Sequence, residues 1–134
     1  MKTRRQALGQ HFLRDTRLLD KIARTIDPGP EDMVIEIGPG KGALTRAVAA
    51  LAGKVVAIEK DRILAESLAA DKPENVEIVE GDALDESFDR LIFEVAKAAP
   101  PVKIIGNLPY AISGPFLARV WEERRWFSRA AFLI

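Results

Sequence analysis

Residues 33 to 42 read Met-Val-Ile-Glu-Ile-Gly-Pro-Gly-Lys-Gly, which sets a carboxylate, Glu36, two residues ahead of three alternating glycines, Gly38, Gly40 and Gly42. Glycine at such positions permits positive φ angles and lets a ligand come close to the backbone. A turn that holds pyrophosphate usually spaces its glycines Gly-x-Gly-x-x-Gly and offers the anion a helix N-terminus. Here the spacing is Gly-x-Gly-x-Gly, and Glu36 would repel phosphate while suiting a cation with an amino group. A second carboxylate, Glu59, falls near the ~20-residue offset at which an acidic side chain meets ribose hydroxyls. Together these features describe a ligand with an adenosyl group, a positive charge and no phosphate.

S-adenosylmethionine fits that description. Asp82 then stands where a carboxylate can accept from the adenine amine, and Glu59 where one can accept from both ribose hydroxyls. Farther on, Asn107-Leu108-Pro109-Tyr110 offers a different chemistry. The Asn107 side-chain carbonyl beside the Leu108 backbone carbonyl makes two acceptors, matching the two protons of an exocyclic amine. Pro109 fixes the backbone and removes a competing donor. Tyr110 supplies an aromatic face for a base drawn out of its stack. Methylating such an amine needs position and electrostatics rather than a strong base, so no catalytic His or Cys is required. Each feature alone also has a plain structural reading. The glycines could form an ordinary loop, Glu59 could cap the helix starting near Asp61, Asp82 could be a turn aspartate, and 107–110 could be a rigid loop.

The elements that must position these residues follow from periodicity. Leu18, Leu19, Ile22, Ala23 and Ile26 recur at helical spacing, predicting an amphipathic helix over 16–26 capped by Asp15 or Thr16. Strands are predicted at 34–37, 54–58, 76–79, 102–105 and 130–134. Helices are predicted at 43–51, at 61–70 with Ile63, Leu64 and Leu68 inward, and at 87–98 with Phe88, Leu91, Ile92 and Val95 on one face. A last helix over 113–123 would bury Phe116, Leu117, Val120 and Trp121. Strands alternating with helices at this pace imply right-handed crossovers and a parallel sheet covered on both faces. The polar residues singled out above would then gather at the carboxyl ends of four strands, in one crevice.

The whole chain bounds the reading. Its 134 residues make one domain, 48% hydrophobic and 30% charged, with net charge zero. Zero net charge disfavours a strongly basic nucleic-acid binder, although Lys2, Arg4, Arg5, Arg14 and Arg17 form a basic arm and 74–89 is acidic. No apolar run reaches the ~18 residues of a membrane span, and no signal-peptide pattern opens the chain. Cysteine is absent, which excludes disulfides and thiolate metal sites and fits a reducing cytoplasm. No metal-ligand cluster is expected. The chain stops within an apolar strand, which reads as a truncated domain. His11, the single histidine, reads from spacing alone as a turn residue before the first helix.

Taken in order, Leu8-Gly9-Gln10-His11-Phe12-Leu13, Glu36 through Thr45, Glu59-Lys60-Asp61, Gly81-Asp82-Ala83 and Gly106 through Ser113 resemble the ribosomal RNA adenine dimethyltransferases, the kasugamycin-sensitivity methyltransferases. The resemblance runs from about residue 5 to the end. It implies a Rossmann-like class I S-adenosylmethionine-dependent methyltransferase fold, a parallel sheet with helices on both faces, here ending after about the fifth strand. It implies four methyl transfers to two adjacent adenosines near the 3′ end of small-subunit rRNA. It implies cofactor contacts at His11, Leu13, Gly38, Glu59, Asp82 and Asn107, which reverses the reading of His11, and a target-adenine site at Asn107, Leu108, Pro109 and Tyr110. The partner it implies is small-subunit rRNA or the immature small ribosomal subunit, met by a monomer. Members of that family continue into further strands and a small helical domain that this sequence lacks. Other readings stay open: a macrolide-resistance methylase of 23S rRNA, a DNA adenine methylase (disfavoured by Leu108 where Pro is usual), a non-catalytic RNA-binding assembly factor, and, least well supported, a nicotinamide dehydrogenase.

Overall fold

The computed structural model describes residues 14–134. Helix α1, Thr16–Arg24, starts at Asp15, whose carboxylate accepts from the Arg17 and Leu18 N–H groups. Strand β1, Met33–Ile37, is buried along its whole length and runs into the glycine turn and helix α2, Ala43–Ala49. Strand β2, Lys54–Glu59, leads to helix α3, Arg62–Ala70, and strand β3 spans Val76–Glu80. A π-helical segment, Arg90–Val95, precedes strand β4, Val102–Asn107. Helix α4, Tyr110–Glu122, and a 3₁₀ turn, Arg124–Trp126, lead into strand β5, Phe127–Leu133.

The five strands form one sheet in the order β3-β2-β1-β4-β5, every neighbouring pair parallel. Strand order reverses between β1 and β4, so a crevice opens beyond their carboxyl ends. Side chains alternate across the sheet. Met33, Ile35 and Ile37 join Val56, Ile58, Ile104, Phe88, Leu91, Ile92 and Phe116 in one core layer. Val34, Val55, Val76 and Ile105 face the other layer, with Leu19, Ala23, Leu44 and Val48 of α1 and α2. The parity that buries Val34, Val55 and Ile105 also assigns Glu36, Glu59 and Asn107 to the α1–α2 face. Three polar side chains thereby share one face at three adjacent strand ends.

Several predicted elements change at their edges. The 61–70 helix presents Ala65 and Leu68 inward, while Ile63 is 77% exposed; as the second helical residue it turns to solvent before the buried face begins. Helix α4 begins at Tyr110, three residues earlier than periodicity places it, because Pro109 at the cap already sets the entering backbone. Trp121, predicted inward, is exposed and lies under the Arg124 guanidinium, 4.4 Å from its ring centroid. The 87–98 helix is mostly a π-segment, with the Ala96 N–H donating to the Leu91 carbonyl. Phe88, Leu91 and Ile92 are still buried there.

Candidate functional site: a crevice at the carboxyl ends of four strands

The turn after β1 is left-handed at each glycine, with φ of +68°, +57° and +88° at Gly38, Gly40 and Gly42. Gly38 has a second reason to lack a side chain. A Cβ there would stand 2.7 Å from the Asn107 carbonyl oxygen, so β1 and β4 can close on each other only over glycine. At Gly40 a Cβ would meet nothing within 4 Å, because that residue borders open space. The space is a cavity of about 300 Å3, walled by Arg14, Glu36, Gly38, Pro39, Gly40, Lys41, Ala43, Leu44, Leu64 and Asn107.

Glu36 is 1% exposed and accepts a 2.5 Å hydrogen bond at Oε1 from the Thr45 hydroxyl, itself fully buried on α2. Burial pushes the Glu36 carboxyl up to about 7, against the opposing effect of the Thr45 hydrogen bond and with a smaller upward push from the charge of Glu59. Glu59 is held from two sides. Its Oε1 accepts from the Gly40 N–H at 3.0 Å and its Oε2 from the Asp61 N–H at 2.9 Å. A carboxylate offers about four lone-pair sites, so two remain for outside donors. The helix-capping expectation for Glu59 is thus met in part, while the cap of α3 itself is Asp61, which accepts from Ile63 and Leu64.

Asp82 follows β3. The Leu84 N–H donates to its Oδ1 at 3.0 Å and Lys60 Nζ lies 3.4 Å from Oδ2; these partners hold its carboxyl below the usual aspartate range. It stands outside the cavity wall, on the loop after β3, one strand farther out than β2. Arg119 of α4 fastens that loop: its guanidinium donates to the Ala83 and Glu86 carbonyls, pairs with Glu123, and lies 4.0 Å from the Phe88 ring centroid. Leu108 is buried and donates its N–H to Leu133, Pro109 caps α4, and Tyr110 is 73% exposed at the first helical position.

The fold therefore brings Glu36, Gly38, Gly40 and Asn107 onto one wall, ties Glu59 to it through Gly40, and sets Asp82 one strand farther out. His11 and Leu13 lie outside the described residues. Sequence reasoning missed Arg119, and gave Thr45 and Lys60 no role beyond membership of the motifs that carry the resemblance. A threonine at a buried position of a short helix is the signal that could have marked Thr45. No group of acidic or histidine side chains among the described residues is arranged to hold a metal, and no described helix is long and apolar enough to cross a membrane.

Solved structures place this architecture. A dimethyladenosine transferase from Plasmodium falciparum superposes with TM-score 0.70 and 30% identity over 88% of this chain and 42% of that one. The 23S rRNA methyltransferase ErmE does so with TM-score 0.68 and 32% identity over 85% of this chain and 44% of that one. The fold is that of the class I S-adenosylmethionine-dependent methyltransferases. The family model described as ribosomal RNA adenine dimethylase matches residues 1–134, and the chain belongs to that family. Ribosomal RNA small subunit methyltransferase A of Pelotomaculum thermopropionicum is 46% identical over 137 aligned residues, covering 97% of this chain and 46% of the relative. The chain thus spans about half the length of the curated relatives it matches.

Proposed function

We propose that this chain is the cofactor-binding portion of an rRNA adenine-N6,N6-dimethyltransferase. It uses S-adenosyl-L-methionine to dimethylate two adjacent adenosines near the 3′ end of 16S rRNA in the immature small ribosomal subunit, in the cytoplasm. The observation that carries the reading is the row of Asp82, Glu59, Glu36 and Asn107 along four adjacent parallel strand ends, beside a glycine turn that keeps one cavity open.

The residues suit the cofactor. Glu36, buried and making no ion pair among the described residues, matches an ammonium group. Pro39, Ala43, Leu44 and Leu64 give an apolar wall. Glu59 keeps lone pairs for two ribose hydroxyls while two backbone N–H groups fix its orientation. Asp82, held ionised beside Lys60, is an acceptor for the adenine amine. Gly38 lets the ligand lie against the backbone, and His11 and Leu13 add the cofactor contacts that the family resemblance implies. When bound, the cofactor supplies an electrophilic methyl on sulfur. The chain's own part is to hold the attacking amine: the Asn107 side-chain oxygen and the Leu108 carbonyl accept hydrogen bonds from its two N–H groups, aligning the nitrogen lone pair. Pro109 stiffens this acceptor pair, and Tyr110 offers its ring to the extruded base.

Two measurements test the reading. Calorimetry of the 134-residue chain with S-adenosylmethionine is expected to show binding that Asp82→Ala weakens at least tenfold. Radiolabelled methyl transfer by the full-length protein is expected on small subunits that lack the modification. Transfer to 23S rRNA instead would move the protein to the macrolide-resistance reading that the likeness to ErmE keeps in view. Cofactor binding with no transfer to any RNA would leave an assembly factor.

A further inference from the structure

Glu36 has two oxygens in different situations. Oε1 accepts from Thr45, and no donor among the described residues meets Oε2, although Glu36 forms part of the cavity wall. Thr45 comes from α2, nine positions on, and its hydroxyl has no other described partner. A fully buried hydroxyl spent on one carboxylate oxygen fixes the rotation of that carboxylate and leaves its other oxygen for whatever enters. A buried carboxylate left without any donor takes up a proton instead.

We propose that Thr45 is a positioning residue for ligand recognition: its hydroxyl orients the Glu36 carboxylate, and favours its ionised form against the effect of burial, so that Oε2 receives the ammonium group of the amino-acid end of the ligand. The inference rests on the cofactor reading above and deepens it. The charged groups around Glu36 are few. Glu59 of β2 faces it with like charge, Arg14 before α1 and Lys41 of the glycine turn share the cavity wall, and Asn107 of β4 is neutral. The Glu36 carboxyl titrates at about 7, so its charge is half formed near neutrality and is lost as the pH falls. An ammonium ligand binds the ionised form. Its affinity therefore rises with pH through this range, until the ligand's own α-amino group begins to lose its proton at about 7.7–8.0.

The test is calorimetric titration with S-adenosylmethionine from about pH 5 to 7, a window in which an α-amino group of pKa about 7.7–8.0 stays mostly protonated. It compares wild type, Thr45→Val and Thr45→Ser. Methylthioadenosine, which keeps the adenosyl group but lacks the amino-acid end, is the second ligand. The expected result has three parts. Wild-type affinity climbs with pH, Thr45→Val binds S-adenosylmethionine about tenfold or more weakly at neutral pH with its curve displaced to higher pH, and Thr45→Ser restores both. Methylthioadenosine binds wild type and Thr45→Val alike and without this pH dependence, which also reports that the variant is folded. Equal S-adenosylmethionine affinities and superimposable pH curves for wild type and Thr45→Val overturn the positioning role. Equal weakening of both ligands in Thr45→Val also overturns it, because the loss is then general to the site. Failure of wild type to bind either ligand at any pH overturns instead the cofactor reading beneath it.

Discussion

Gly38 and Gly40 hold similar left-handed angles in one turn but answer to different constraints. An alanine at either position pays the left-handed penalty of about 1–2 kcal/mol. At Gly38 the new methyl also meets the Asn107 carbonyl oxygen at 2.7 Å, a backbone atom that can yield only if β4 moves. Gly38→Ala is therefore expected to cost about 3 kcal/mol in chemical denaturation, and Gly40→Ala only the first part. In ligand titrations the two should separate further, since the Gly40 methyl enters the cavity itself. Glu36 gives a second prediction, in the sense opposite to most carboxylates. Its folded-state value, about 7, lies above the ordinary 4.5, so the protonated form favours the fold. The stability it contributes is fully present below about 4.5 and is lost as pH rises through about 7. Glu36→Gln, which keeps an acceptor for Thr45, should melt a few degrees higher than wild type at pH 8 and no higher at pH 4, while losing affinity for S-adenosylmethionine. A variant that melts lower at pH 8 would mean that the ionised carboxylate has a stabilising partner.

Elements decide which of these residues meet. Strand ends were legible because alternation and the glycine turn determine them locally: Glu36, Glu59 and Asn107 fall on one face by parity alone, and the parallel order follows from the βα rhythm. What was not legible depends on packing between elements distant in sequence. Ile63 and Trp121 satisfy a helical period yet stand in solvent, since periodicity does not say where along a helix the core begins and stops. Arg119 illustrates the same limit. Within α4 it looks like a surface charge, but the fold carries it across to the loop after β3, where it binds the Ala83 and Glu86 carbonyls over the Phe88 ring. Lysine cannot reproduce that fork or its stacking. Arg119→Lys is expected to cost about 1–3 kcal/mol of stability and to weaken S-adenosylmethionine binding through the loosened Asp82 loop. Hydrogen exchange at Ala83 to Ser87 would register the loosening directly, and unchanged protection there would argue that the loop holds itself.

At the scale of the molecule the charges are balanced but polarised. Net charge is zero over 134 residues, while five basic side chains, Lys2, Arg4, Arg5, Arg14 and Arg17, crowd the first seventeen positions and an acidic stretch occupies 74–89. With those five cations set aside the rest of the chain is net negative, and gives no long-range attraction to RNA. What electrostatic affinity the chain has should then come from this basic arm, most of which lies outside the described residues. If all five neutralise phosphates on a single strand, the logarithm of affinity should fall with the logarithm of salt at a slope of about −3.5. Reversing two of those charges, in Arg4→Glu/Arg5→Glu, removes two contacts and should bring the slope to about −2. Fluorescence anisotropy with a labelled RNA from the 3′ end of the small-subunit molecule, across a salt series, reads both values. A slope that the reversal leaves untouched would place the RNA-binding surface elsewhere on the sheet's carboxyl edge, where Lys41 and Lys60 are the next cations in reach.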